Sequence, residues 1–355
     1  MIYVNARFLT QEVTGVQRFA EMISLSLNNK INNITFLCPS GVLRESVGKK
    51  LNVKLIGNCQ GHFWEQVELP LFLKKNGSPL LINLGSTGPI FYRNKIVTHH
   101  DITYLKYPRS YSVAFLIFYK IVMPFILRTS RHLITVSQFS REEIVNAYNY
   151  PKENISVVYN ATDESFRPAS ITETPNDDRY LLSVSSRNYH KNHHGMIGAF
   201  KRALQISPEN KNIKIKIIGK TARSFSKQGY ALECNSDNIE FLGRVNDEEL
   251  INLYQNATAF IFPSFYEGFG IPPLEAQSCG CPVISSNAAS MPEVLAESVL
   301  YFDPHSLEDM SEKINRIMMD ENLRGSLSQK GLKNTRRFSW EKSAEELIKI
   351  INKFV

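Results

Sequence analysis

"AFIFPSFYEGFGIPPLEAQSCGCPVISSN", Ala259 to Asn287, is the stretch on which the fold turns. Ala259-Phe-Ile-Phe262 is a short unbroken apolar run, the pattern of a buried strand, and Pro263-Ser264 ends it. Ser264 to Gly270 reads as a loop in which Gly268 and Gly270 let the backbone approach a ligand closely. Pro272 and Pro273 suit the first turn of a helix, where a missing N–H costs nothing, so Glu275 is expected in that first turn and Gly280 ends the helix. Val283 to Ser285 is the next strand. A helix start carries unpaired N–H groups and partial positive charge, and so can hold a phosphate. Glu267, in the loop, is then expected to face a reacting group. Glu275 has two readings of equal weight: it accepts hydrogen bonds from two ribose hydroxyls, or it complements the helix dipole.

The same alternation extends along the whole chain. Strand candidates in the first half are Ile2 to Phe8, Ile34 to Cys38, Val53 to Ile56, Leu80 to Leu84, Ile96 to His99, Leu133 to Ser137 and Ile155 to Tyr159. Val16, Phe19, Ile23 and Leu27 give one helical apolar face between the first two. "NATDESFRPASITETPNDDR", Asn160 to Arg179, is polar, carries two prolines, and reads as a linker. The pattern restarts with Tyr180 to Val184, Ile213 to Ile218, Ile239 to Leu242, Ala259 to Phe262, Val283 to Ser285 and Val299 to Phe302. Asn246 followed by Glu249 reads as a capping box. The architecture expected is α/β, two doubly wound parallel-sheet domains with a cleft between them, residues 1–165 and 166–339.

Composition narrows the function. The chain has 355 residues, 43% of them hydrophobic, enough for two ordinary cores. Its five cysteines lack the spacing of a disulfide framework or a zinc site, and its start lacks a secretory signal, so a reducing cytoplasmic setting is expected. Neither a Gly-x-Gly-x-x-Gly turn nor a P-loop is present, which argues against a dehydrogenase or a P-loop ATPase. The net charge of +7 lies wholly in residues 1–165, favouring an anionic partner there no more strongly than an ordinary basic face. The aromatic-basic interleaving of a nucleic-acid module is absent, so no nucleic acid is expected.

In open α/β sheets ligands bind beyond the carboxyl ends of the strands, so the residues after each strand matter most. In "SVSSRNYHKNHHG", Ser183 to Gly195, the cations Arg187 and Lys191 follow a strand and suit a diphosphate, one as a planar fork and one as a point charge. In "KIVTHHDITYLKYP", Lys95 to Pro108, His100 ends a strand beside His99 and Asp101. Adjacent histidines on an extended chain point to opposite sides, so no metal site is expected. "SVAFLIFYKIVMPFIL", Ser112 to Leu127, flanked by Lys106, Arg109, Arg128 and Arg131, is too short to span a membrane. It is read as a core helix in preference to a surface that meets anionic lipid. "GHFWEQVELP", Gly61 to Pro70, starts a helix expected on the acceptor side.

These stretches carry a resemblance. Together with "TGVQRFAEM" (Thr14 to Met22), "HLITVSQFSREEI" (His132 to Ile144), "VVYNATDESF" (Val157 to Phe166) and "MPEVLAESVLYFDP" (Met291 to Pro304), the chain resembles the retaining glycosyltransferases of family 4, of the mannosyltransferase type that builds bacterial surface polysaccharide. The resemblance implies the GT-B fold, two Rossmann-like domains with the last helix, residues 340–355, packing back on the first. It implies that Glu275 binds the donor ribose, that Glu267 and His100 face the donor sugar, and that Lys191 and Arg187 neutralise the leaving diphosphate without a metal or other cofactor. Gly268, Phe269, Gly270, Ile271 and Gly15 would complete the donor site, and Gln17, Arg18 and Trp64 the acceptor side. The donor implied is GDP-mannose, with a UDP-sugar as the alternative. The acceptor implied is a saccharide, lipid-linked, met at the inner face of the cytoplasmic membrane. Arg187 lies four residues before Lys191 where the family often has five, and Gln17 stands where many members carry a glycine. An epimerase and a non-catalytic sugar-nucleotide binder are the competing readings.

Overall fold

A computed structural model describes residues 1–169, 179–184, 188–219 and 237–355. The chain divides into two compact units. The first comprises Met1–Ile102, Ser112–Asn160 and Phe338–Val355; the second comprises Thr103–Tyr111 and Ala161–Arg337. Thr103–Tyr111 was expected with the first domain. It counts with the second because Tyr107 stacks on Phe265, ring centroids 6.1 Å apart, and the Ser110 hydroxyl lies 2.9 Å from His190 Nδ1.

The first unit holds a seven-stranded parallel sheet: β1 (Ile2–Asn5), β2 (Ile34–Cys38), β3 (Lys54–Leu55), β4 (Leu80–Asn83), β5 (Lys95–Thr98), β6 (His132–Thr135) and β7 (Ile155–Val157), in the order β3-β2-β1-β4-β5-β6-β7. The second holds β8 (Tyr180–Val184), β9 (Lys214–Ile218), β10 (Ile239–Gly243), β11 (Ala259–Phe262), β12 (Val283–Ser286) and β13 (Leu300–Phe302), ordered β10-β9-β8-β11-β12-β13. Both are α/β, Rossmann-like and doubly wound. In each sheet the winding reverses once, between β1 and β4 and between β8 and β11, which is where ligands enter such folds.

Local chemistry explains the elements. The strands buried on both faces are the unbroken apolar runs, as in β11, where all four residues are buried. The helix Gly15–Lys30 buries Phe19, Ile23 and Leu27. Asn246 and Glu249 close the expected capping box at the start of helix Asp247–Asn256, at 2.8 and 3.0 Å. The last helix, Trp340–Ile351, belongs to the first unit. Trp340 meets Phe19 at 6.2 Å, and the Ser343 hydroxyl donates to the Tyr159 carbonyl at 2.7 Å.

The apolar segment after Ser112 departs from expectation. It forms the helix Val113–Thr129, but only Met123, Ile126 and Leu127 are buried, so it is not a core helix. Its apolar residues run around the whole helix, and neighbours cover one side only. No helix among the described residues is long and apolar enough to cross a membrane.

A buried lysine adds a pH signature. Lys95 opens β5 fully enclosed, donating to the Tyr92 carbonyl and the Thr129 hydroxyl, both at 2.7 Å, and burial pushes its amine down to about 7. The unfolded chain therefore binds more protons than the native one between about pH 7 and about 10.4. Over that window stability rises with pH by up to ~1.4 kcal/mol per unit, and it is lost as pH falls towards 7. Denaturant titrations across the window should show this slope, and Lys95→Met should flatten it.

Candidate functional site

In the second unit the loops after β8 and β11 are stitched together at the reversal of the sheet. The chain leaves β8 and forms a tight turn, Tyr189–Lys191, followed by Asn192 in the left-handed region at φ 51°. The Asn192 side-chain amide donates to the carbonyls of Pro263 (3.2 Å) and Pro304 (2.9 Å), and Phe265 N–H donates to His190 O at 2.7 Å. This brings Lys191 to Glu267: Nζ and Oε1 are 2.5 Å apart, with side chains 21% and 14% exposed. The pair spans 76 positions of sequence, so no local spacing announces it.

The loop carrying Glu267 is fixed from beneath. The buried Ser290 hydroxyl donates to the carbonyls of Glu267 (2.9 Å) and Phe269 (3.2 Å). Gly268, Phe269 and Gly270 are buried. Gly270 caps the next helix at φ +92°, a conformation that calls for glycine. The helix runs Ile271–Ser278, with half-buried Ile271 its first residue. Glu275 is therefore its fifth residue, in the second turn rather than the expected first, and pairing with the helix dipole is correspondingly weaker. The Tyr254 hydroxyl donates to Glu275 Oε2 at 3.3 Å, and burial together with the Glu275 charge drives that phenol well above the usual tyrosine range. Arg187 lies outside the described residues. Among the described residues no three His, Cys, Asp or Glu side chains gather as metal ligands would.

In the first unit, Gly15 is the exposed first residue of helix Gly15–Lys30. Gln17 is occupied by that helix's capping box: its amide oxygen accepts from Thr14 N–H at 3.2 Å, and its amide nitrogen donates to Gln11 at 3.0 Å. Arg18 is half-buried in the next turn. His100 is buried at the carboxyl end of β5. Its Nε2 donates to the Leu84 carbonyl at 3.1 Å, leaving the lone pair on Nδ1, and burial lowers its pKa. Trp64 does not line a site. It is fully buried among Tyr3, Leu37, Leu69 and Leu81, with its indole N–H given to the Ile56 carbonyl at 2.8 Å, because its large apolar ring belongs in the core.

Its neighbour Glu65 is the residue that sequence reasoning missed. It sits at the reversal between β1 and β4 with its carboxylate saturated by Asn5 Nδ2 (2.9 Å), Arg7 Nε (3.1 Å) and the Thr87 hydroxyl (2.7 Å), and with His62 Nδ1 at 3.5 Å. Burial alone raises its pKa, but the Arg7 guanidinium, with His62 and Thr87, more than offsets this and holds it at about 2. Tyr119 faces the same cluster, its phenol pushed up to about 12 by burial and then by the Glu65 charge. A signal was present: Arg7 interrupts the apolar run expected as Ile2 to Phe8. The strand stops at Asn5, and Arg7–Thr10 is a tight helical turn, which places both polar residues at the strand's carboxyl end.

Comparison with known proteins follows this geometry. Residues 167–334 match the family described as Glycosyl transferases group 1, and residues 13–166 the family described as Glycosyltransferase Family 4. The chain is 31% identical over 278 residues to the O-antigen chain mannosyltransferase B of Escherichia coli, covering 74% of this chain and 72% of that one. It is 30% identical over 256 residues to the O-antigen chain mannosyltransferase RfbU of Salmonella typhimurium, covering 72% and 69%. Among solved structures, Anabaena HepE, in complex with UDP-glucose, superposes with a TM-score of 0.75 at 15% identity over 99% of each chain.

Proposed function

This chain belongs to glycosyltransferase family 4 and has the GT-B fold, and from that premise we propose that it transfers mannose from GDP-mannose to a lipid-linked saccharide, with retention of configuration. The observation that carries the reading is the Lys191–Glu267 pair at the reversal of the second sheet, with the helix bearing Glu275 beginning four residues beyond Glu267. The names of the relatives support mannose as the sugar and bacterial surface polysaccharide as the product.

In this mechanism the bond from the sugar's anomeric carbon to the donor phosphate breaks. A bond to the acceptor hydroxyl forms on the same face, and the hydroxyl proton passes to the departing phosphate. Charge grows on that diphosphate, so preorganised cations lower the barrier. Lys191 supplies one and Arg187 a second, a division of labour that needs no metal. Glu267, held by Lys191, faces the electron-poor sugar. Glu275 binds the two ribose hydroxyls and, because Tyr254 already donates to Oε2, is pre-oriented for them. Gly15 and His100 are assigned to the donor, as the family resemblance implies, and the Arg7–Glu65–His62 cluster and Arg18 to the acceptor.

A panel of nucleotide sugars, read by thermal shift and by nucleotide release with and without acceptor, tests the reading. GDP-mannose should stabilise the protein most, and Glu275→Ala should weaken its binding by roughly a hundredfold or more, as expected when a charged group loses two hydrogen bonds. An altered nucleotide sugar released without acceptor would identify an epimerase instead. Binding without any turnover would leave a sugar-nucleotide binder.

A further inference from the structure

The helix Val113–Thr129 turns two unlike faces to its surroundings. On its inner side the Phe118 ring lies 4.6 Å from the His62 ring, and His62 belongs to the Arg7–Glu65 cluster. On its outer side Val113, Ile117, Ile121 and Phe125 recur at every fourth residue, 71, 55, 58 and 52% exposed. One scattered exposed apolar residue is ordinary, but a row four long on one helix face marks a surface that is covered by something. The helical run beside it, Gly61–Phe63 continuing through Leu69–Lys75, likewise exposes Phe63 (59%) and Leu71 (53%) two turns apart.

Charge says what covers the surface. The helix Val113–Thr129 contains no acidic residue, and its Lys120 and Arg128 are exposed, as are Lys74 and Lys75 at the end of the neighbouring run. The first unit holds 19 Lys and Arg against 12 Asp and Glu, which is the whole net charge of +7, while the second unit is neutral. A second copy of this face would bring cations against cations. An anionic bilayer offers apolar chains to the row and phosphates to the lysines together. We propose that this face docks the first unit on an anionic lipid bilayer, with the Val113–Phe125 row entering the boundary between headgroups and acyl chains. The helix would then lie in the plane of the surface with its inner side over the Arg7–Glu65–His62 cluster, and the saccharide of a lipid-linked acceptor would meet that cluster from the bilayer. This last consequence rests on the transferase reading; the docking surface does not.

The test is sedimentation of the full chain with mixed phosphatidylglycerol–phosphatidylcholine vesicles and with pure phosphatidylcholine vesicles. Binding is expected to the mixed vesicles, weaker to the neutral ones and weaker in salt. Ile117→Ser combined with Ile121→Ser should lower it by roughly tenfold or more. Both positions are exposed, so an unchanged melting temperature verifies the fold. The proposal is overturned if the double variant partitions like the parent, or if the chain ignores vesicles and forms a dimer that the double variant dissociates. Donor turnover with a water-soluble acceptor is measured alongside. Turnover without vesicle binding refutes the surface alone, and vesicle binding without turnover on any donor refutes the transferase reading alone.

Discussion

Lys191→Ala is expected to lower the rate of sugar transfer by about 10²–10³-fold while leaving the fold intact, the loss seen when one preorganised charge-stabilising donor is removed. The lysine sits at the reversal of the second sheet, and its Nζ lies 2.5 Å from Glu267 Oε1. Its ammonium is thus held in place by a carboxylate instead of swinging freely in water, and in the proposed mechanism it meets the charge growing on the diphosphate. Its side chain is 21% exposed, so solvent screens the pair only in part. Glu267→Ala should cost transfer comparably, because the carboxylate orients Lys191 and, in the proposed mechanism, faces the sugar. The double variant should then be little worse than either single one, as for residues that act as a unit. The readout is kcat against KM for donor hydrolysis and transfer. Additive losses in the double variant, or wild-type kcat in Lys191→Ala, would sink the assignment.

The second large effect is on stability. Glu65→Ala should destabilise the first unit by about 3–5 kcal/mol, the usual cost of removing one partner from a buried ion pair. The carboxylate is 1% exposed, and its loss strands donors from Asn5, Arg7 and Thr87 together. Linkage gives an independent check. A carboxyl held at about 2 when folded, against about 4.3 when unfolded, contributes stability that is complete above pH ~4.3 and is lost as pH falls towards 2, in all roughly 3 kcal/mol. Glu65→Gln should therefore lose that part of the acid limb while keeping the shape of the side chain. Equal denaturant midpoints for Glu65→Ala and the parent would show that the network contributes nothing.

Much of the fold is legible because the signals are local. A β-branched apolar run of four or five residues bounded by proline or polar residues reads as a buried strand. Each of the thirteen strands described lies within a few residues of such a run, and the capping box at Asn246 is legible in two side chains. The misreadings have local causes too. The run Ile2 to Phe8 reads as one strand because a single arginine in an apolar run looks like a tolerated exception, yet β1 stops at Asn5. Trp64, expected on the acceptor side, is fully buried in the core, while its neighbour Glu65 turns to the strand ends. Trp64–Glu68 is wound as a π-helix, and its wider turn shifts the register by which faces are assigned.

What the chain alone determined, then, is its order of strands and helices, the glycine at Gly270 before the helix that carries Glu275, the placing of every excess positive charge in the first unit, and the identity of Lys191, Glu267 and Glu275 as candidates. Tertiary structure decided the rest. It closed Lys191 on Glu267 across 76 residues, buried Glu65 against Arg7 across 58, and left one side of the helix Val113–Thr129 uncovered. The reason is physical. Strand and helix formation are written in the spacing of neighbours along the chain, whereas an ion pair between distant loops, or the exposure of one face of a helix apolar all round, depends on which elements the sheet order sets side by side.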